Sequence, residues 1–279
     1  MRVKNIIRRV SYIFLCISPL LVGIFAGVRY LRVSGVYQAL GGILFLSIVI
    51  AVWLLGGRAI KSGADVERRF ALAGGLLIAP WAVISLLWVG LGTPWDATPT
   101  ENEMRYLVLL FGSIAVTFGF IVVEKLLNDT GERFYSTLGF AANILAGAAY
   151  LIWTSFHTGA HVEQVRDGQM SPAVVALGNV FDVLLFVGCV LTYIATAAFA
   201  ASFGQTKWLK RGAARAYIVT SFVALLFIGL RGLSFPDLTA GSTPWYTNLG
   251  FIAGIPAVPW IMPFLLGVVL LRRTGDEQL

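Results

Sequence analysis

Residues 36–91 read VYQALGGILFLSIVIAVWLL (36–55), GGRAIKSGADVERR (56–69) and FALAGGLLIAPWAVISLLWVGL (70–91). Two apolar runs enclose a short connector that holds Arg58, Lys61, Arg68 and Arg69. As helix, about 20 apolar residues cross the roughly 30 Å of hydrocarbon in a bilayer. A connector this short joins antiparallel neighbours, and its Lys and Arg mark the cytoplasmic side. The stretch therefore predicts a transmembrane hairpin with its loop in the cytoplasm.

The same alternation runs the length of the chain. Apolar runs cover Val10 to Arg29, Val36 to Leu55, Phe70 to Leu91, Tyr106 to Leu126, Tyr135 to Phe156, Ala173 to Phe203, Ala216 to Phe235 and Asn248 to Leu271. The sixth exceeds what a perpendicular span needs, so it tilts or projects. One side of the ledger holds Arg2, Lys4, Arg8 and Arg9; Arg58 to Arg69; Lys125 and Arg133; Lys207, Lys210, Arg211 and Arg215; and Arg272 with Arg273. The other side keeps only Arg29, Arg32, Arg105, Arg166 and Arg231, five of the 21 basic residues. The partition predicts an all-α polytopic membrane bundle of eight transmembrane helices, with N and C termini cytoplasmic. It forms a single transmembrane domain over 1–279, multi-pass in the cell (cytoplasmic) membrane.

Composition agrees. Hydrophobic residues make up 58% of the 279 and charged residues 13%, with a mean hydropathy of +0.81. Soluble domains carry about 25% charged residues, so too little polar surface exists to cover a water-facing globule. The net charge of +7 sits beside span ends, which points to the lipid bilayer as partner and not to nucleic acid. The first span also resembles a signal peptide in outline, with a basic start at Met1 to Arg9. Its apolar stretch is too long, and no clear A-x-A site follows, which favours retention.

Trp88, Trp95, Trp153, Trp245 and Tyr246 read as anchors at the outer interface. Gly92-Thr93-Pro94-Trp95 after the third span is echoed by Ser242-Thr243-Pro244-Trp245 after the seventh. Either the chain holds a weak parallel 4+4 repeat, about 1–127 and 135–271, or both are interfacial turns that converged. Cys16 and Cys189 read as small buried hydrophobes without a disulfide.

Ionisable residues at membrane depth are functional candidates by default, because each costs about 2.5–3.5 kcal/mol to insert. Asp182 in the sixth span and Arg231 near the outer end of the seventh lie on an antiparallel hairpin. Counting about 1.5 Å per residue from the inner loop sets both in the outer half of the bilayer. The sequence predicts that they pair, either structurally or around a ligand; alternatively Arg231 snorkels to the headgroups. Asn143 and Asn179 join them as polar candidates for a substrate-binding cavity. His157 and His161, the only two histidines, stand at i and i+4. That spacing suits two ligands of one metal, with Glu163 or Asp167 as a third; exposed loop histidines are the plainer reading.

Pro256, Pro259 and Pro263 break the eighth span or kink it. Gly139, Asn143 and Gly147 form a small-residue face that lets another helix approach. No catalytic set, CxxC or phosphate-cradling loop appears in usable context. The leading expectation is a small permease-like or lipid-handling protein with an outward-facing polar cavity between spans five and eight, taking a small-molecule or lipid ligand. The alternatives are a non-transporting subunit or sensor, with a helix–helix partner or a homo-oligomer, and a membrane enzyme with a metal at His157 and His161.

Overall fold

Apolar runs of this length leave their backbone polar groups no partner but one another, which in lipid means helix. The computed structural model describes residues 2–27, 34–92, 97–232 and 252–274. Within them the helices are α1 (Arg2–Gly27), α2 (Ser34–Ser62), α3 (Asp65–Gly90), α4 (Pro99–Asp129), α5 (Phe134–Asp167), α6 (Pro172–Gln205), α7 (Arg211–Arg231) and α8 (Ile261–Arg273). Two 3-10 turns, Ile252–Gly254 and Val258–Trp260, precede α8. Seven of the eight helices are long and apolar enough to cross a membrane. Large apolar side chains such as Leu20, Phe111, Phe222 and Leu226 face outward on them. A water-soluble fold rarely exposes so much contiguous apolar surface; the solvent of this surface is lipid.

In the eighth run the structure shows a break, the first of the two outcomes expected of its prolines, and not a kink within one continuous helix. Over Ile252–Trp260 the chain makes the two 3-10 turns, with Pro256 between them, Pro259 inside the second and Ala257 at φ 73°. Regular helix begins only at Ile261 and lasts 13 residues, about 20 Å. The cause is the proline spacing: each ring removes one donor and clashes with the carbonyl a turn earlier. The two Thr-Pro-Trp motifs and the run's start at Asn248 lie outside the described residues.

The chain divides into two compact units, Met1–Leu126 with Pro263–Leu279, and Leu127–Met262. In the first, α2 and α3 form the hairpin read from residues 36–91, and α1 packs on both. Asp65 opens α3 and pairs with Arg68 at 2.6 Å and Arg69 at 2.7 Å, a favourable charge at a helix N-terminus. α8 crosses α3 at glycines: a Cβ on Gly74 would stand 2.8 Å from the Gly267 carbonyl, and one on Gly267 equally close to that of Gly74. Such an approach requires two residues without side chains. Thr274 ties the end of α8 to α2 by donating to the Leu55 carbonyl at 2.9 Å.

The second unit is built on a long helical hairpin. α5 and α6 hold 34 residues each, about 51 Å, well beyond the hydrocarbon thickness. Gly168, in the left-handed region at φ 78°, ends α5. Ser171 accepts from the Val174 amide, and Pro172 starts α6, the usual cap with proline at the first helical position. Glu163 ties the turn by accepting from the Ser171 amide at 3.0 Å. At the other end Glu132 accepts from the amides of Tyr135 and Ser136 and from the Ser202 hydroxyl of α6.

The small-residue face of α5 lies inside this hairpin. Gly139 receives the Phe199 ring, whose nearest atom would be 2.9 Å from a Cβ there, while Gly188 of α6 receives Tyr150. Cys189 is buried as expected, with its sulfur 3.4 Å from the Tyr150 hydroxyl. Cys16 instead is exposed on α1.

Candidate polar site in the second unit

The register of the α5–α6 hairpin follows from its turn. Ten residues back from Asp167 is His157, and ten on from Pro172 is Asp182; in an antiparallel pair these meet. The Trp153 indole nitrogen, one helical turn from His157, donates to Asp182 Oδ1 at 3.1 Å. His157 Nε2 lies 3.3 Å from the same oxygen. The side chains of His157 and Asp182 are 17% and 22% exposed, while Trp153 is fully buried. Trp153 is therefore not the interfacial anchor that the sequence suggested; its ring is in the core and its one donor is spent on a carboxylate.

Aromatic rings wall this group. Trp153 and His157 stand 5.0 Å apart between centroids, and Phe156 meets His157 edge-on at 5.3 Å. Phe156 stacks on Phe181 at 4.1 Å with planes 6° apart. A carboxylate in such surroundings needs its donors, because unpaired burial of charge is expensive. The Trp153 indole supplies one such donor, and His157 Nε2 stands on the same oxygen.

Arg231, the last residue of α7, is buried and donates to the Gly254 carbonyl at 3.1 Å. Tyr193 of α6 donates to the neighbouring Ala253 carbonyl, also at 3.1 Å. These two side chains answer the backbone groups that the proline-broken segment sets free. Trp260 closes the segment against Tyr150, edge to face at 5.4 Å. Asp182 lies within Coulombic range of Arg231, yet its close contacts are with Trp153 and His157.

The remaining expected site residues are spread more widely. Asn143 is buried on α5, ten residues and so about 15 Å along the helix from Trp153, away from the α5–α6 turn. Asn179 lies on α6, three residues before Asp182, with its side chain outside the described residues. His161 does continue on α5, through Gly159, but its Nδ1 faces Gln164 at 3.1 Å. Glu163 is engaged by the Ser171 amide and Asp167 by Arg166. Among the described residues no three His, Cys, Asp or Glu side chains gather as a metal would require.

Trp153, Tyr150 and Tyr193 are site residues that the sequence reading missed. The signal was available for Trp153: it is one turn from His157 on a helix whose turn is marked by Gly168 and Pro172. A surface hollow of about 520 Å³ lies beside the site, lined by Leu151, Ile152, Ser155, Phe156 and Phe181; it is apolar and open to the lipid side. Comparison with known proteins finds no matching family model, no similar curated protein and no similar solved structure.

Proposed function

We propose that this integral membrane protein is a small permease-like carrier whose ligand is engaged in the outer half of the second unit. The observation that carries the reading is a largely buried Asp182–His157–Trp153 group in the same unit as a proline-broken segment that Arg231 holds by the Gly254 carbonyl. Ionisable groups at membrane depth and broken helices are the two features by which transporters bind substrates and coupling ions. Asp182 would contact a cationic or hydrogen-bond-donating group of a small solute or lipid headgroup, and His157 would take up or release the accompanying proton. Arg231 would hold the broken segment in place and exchange its Gly254 carbonyl for an anionic ligand group. Asn179, from its position on α6, and Asn143, further along α5, are the remaining candidates for ligand contact.

In this reading both termini are cytoplasmic, the protein sits in the cell membrane, and the broken segment with α8 makes the eighth crossing. Burial of the α5 small-residue face against its own α6 counts against the partner-subunit alternative, since the surface meant for a partner is already used. That no third ligand joins them among the described residues counts likewise against a metal enzyme at His157 and His161.

The test is uptake by proteoliposomes of a panel of small cationic, anionic and zwitterionic solutes and short-chain fluorescent lipids. Wild type is expected to move at least one class, and Asp182→Asn to abolish that movement while the protein stays folded. A panel that wild type leaves untouched, or uptake that survives Asp182→Asn and His157→Gln together, would overturn the reading.

A further inference from the structure

Between α2 and α3 the first unit carries a groove of about 370 Å³ whose walls include Ile48, Val49, Trp53 and Leu54 on one side, and Gly75 and Ala79 on the other. Its floor is open: a Cβ on Gly75 would meet nothing within 4 Å. The groove lies 8–14 residues from the Ser62 end of α2 and 10–17 from the Asp65 end of α3. At 1.5 Å per residue that is about 12–26 Å below the basic connector, the depth of an acyl chain whose headgroup sits at the connector.

The mouth is built for a negative headgroup. Arg58 stands one turn above Leu54, and Lys61 two turns above Trp53, on the groove-facing side of α2. The Trp53 indole folds over Gly57, whose Cβ position is 2.8 Å from the ring. Lys61 Nζ rests 5.1 Å from the centroid of that ring, which holds the ammonium at the groove's edge. Arg68, two turns before Gly75, brings a third cation on α3. With Arg69 it shares Asp65, so four basic residues against Asp65 and Glu67 leave the connector at +2.

We propose that this groove is a phospholipid site, with one acyl chain of an anionic lipid between α2 and α3 and its phosphate at Arg58 and Lys61. The charge selects the occupant. A second copy of the chain docked here in the same bilayer orientation would bring like-charged connectors together, which is unfavourable. The site is separate from the proposed carrier site, and either stands without the other.

Native mass spectrometry of the purified chain, loaded with phosphatidylglycerol or with phosphatidylcholine of the same acyl composition, tests it. Wild type is expected to retain phosphatidylglycerol preferentially. The Arg58→Gln/Lys61→Gln variant should lose that preference by about fivefold for each charge removed. Gly75→Leu and Ala79→Leu, which fill the groove from its floor and its wall, should release both lipids; melting curves on the same samples verify that each is folded. Equal retention of the two lipids by wild type would overturn the proposal, as would a preference that survives the charge removal. So would a Gly75→Leu variant that splits a dimer and leaves lipid retention unchanged.

Discussion

Replacing Asp182 by leucine removes the acceptor of the buried Trp153 indole, and the cost is calculable. An orphaned buried donor loses about 1–3 kcal/mol, but hydrogen bonds between membrane helices couple by only about 0.6 kcal/mol on average and about 1.7 at most. The Trp153–Asp182 bond is 3.1 Å long, charge-assisted and sheltered by a fully buried ring. Both features put it in the upper part of that range, at about 1–1.7 kcal/mol. Asp182→Asn keeps an acceptor oxygen and should lose less than Asp182→Leu. Trp153→Phe should lose the bond and some packing, and the double variant Trp153→Phe/Asp182→Leu should be less destabilised than the two losses combined. Equilibrium unfolding in detergent–denaturant mixtures measures each corner of the cycle. The parallel cycle with Arg231→Leu discriminates between partners: Trp153 is expected to couple to Asp182 more strongly than Arg231 does. Additivity of the Trp153 cycle to within about 0.5 kcal/mol, or a larger Arg231 coupling, would refute the assignment.

Gly254→Ala drives a methyl group into the Arg231 guanidinium and should cost about 2 kcal/mol, since it strands a charged donor; an unchanged melting temperature would contradict the contact. Gly74→Ala presses on the Gly267 carbonyl and should destabilise by about 1–3 kcal/mol, whereas Gly75→Ala, with open space above it, should be neutral; equal effects would mean that the α3–α8 crossing is misplaced. Reporter fusions after Leu279 and within Thr98–Glu103 test the orientation, with cytoplasmic activity expected at the first and external activity at the second. A C-terminal reporter active outside would reverse it.

The hairpins were legible because hydropathy reports which residues lie in lipid and the short polar connectors between apolar runs mark where the chain turns back. Residues 36–91 became α2 and α3, but the helices run on through the basic stretch read as connector, to Ser62 and from Asp65, and leave only residues 63–64 between them. Facing was much less legible. A helix that meets lipid on one side and protein on the other is apolar all round, so no stripe marks its inner face. The pairing of Asp182 with Arg231 was counted from the connection between α6 and α7, more than 20 residues from either side chain. Counting from the nearer turn between α5 and α6, fixed by Gly168, Ser171 and Pro172, brings His157 and Trp153 to Asp182 instead. The three prolines of the eighth run flagged an interruption, but spacing alone left open whether they kink the helix or break it into 3-10 turns. Small residues on α5 signalled close packing correctly, while the partner, α6, was a matter of topology and not of composition.

The helices of the second unit respond unequally to the thickness of the membrane around them. α5 and α6, at about 51 Å, would need to lean by more than 50° to hide within 30 Å, beyond the 0–40° over which membrane helices tilt. Part of each therefore stands clear at any angle in that range, and a slightly thicker bilayer merely covers another apolar turn, where Val162, Val175 and Val180 already face outward. α7 has no such reserve: its 21 residues give about 31 Å, a match to the hydrocarbon with nothing to spare. Arg231 closes the helix, buried and engaged with the Gly254 carbonyl. A hydrocarbon layer thicker than about 31 Å is therefore met at α7 by local thinning of the lipid, while α5 and α6 meet it with residues already in place.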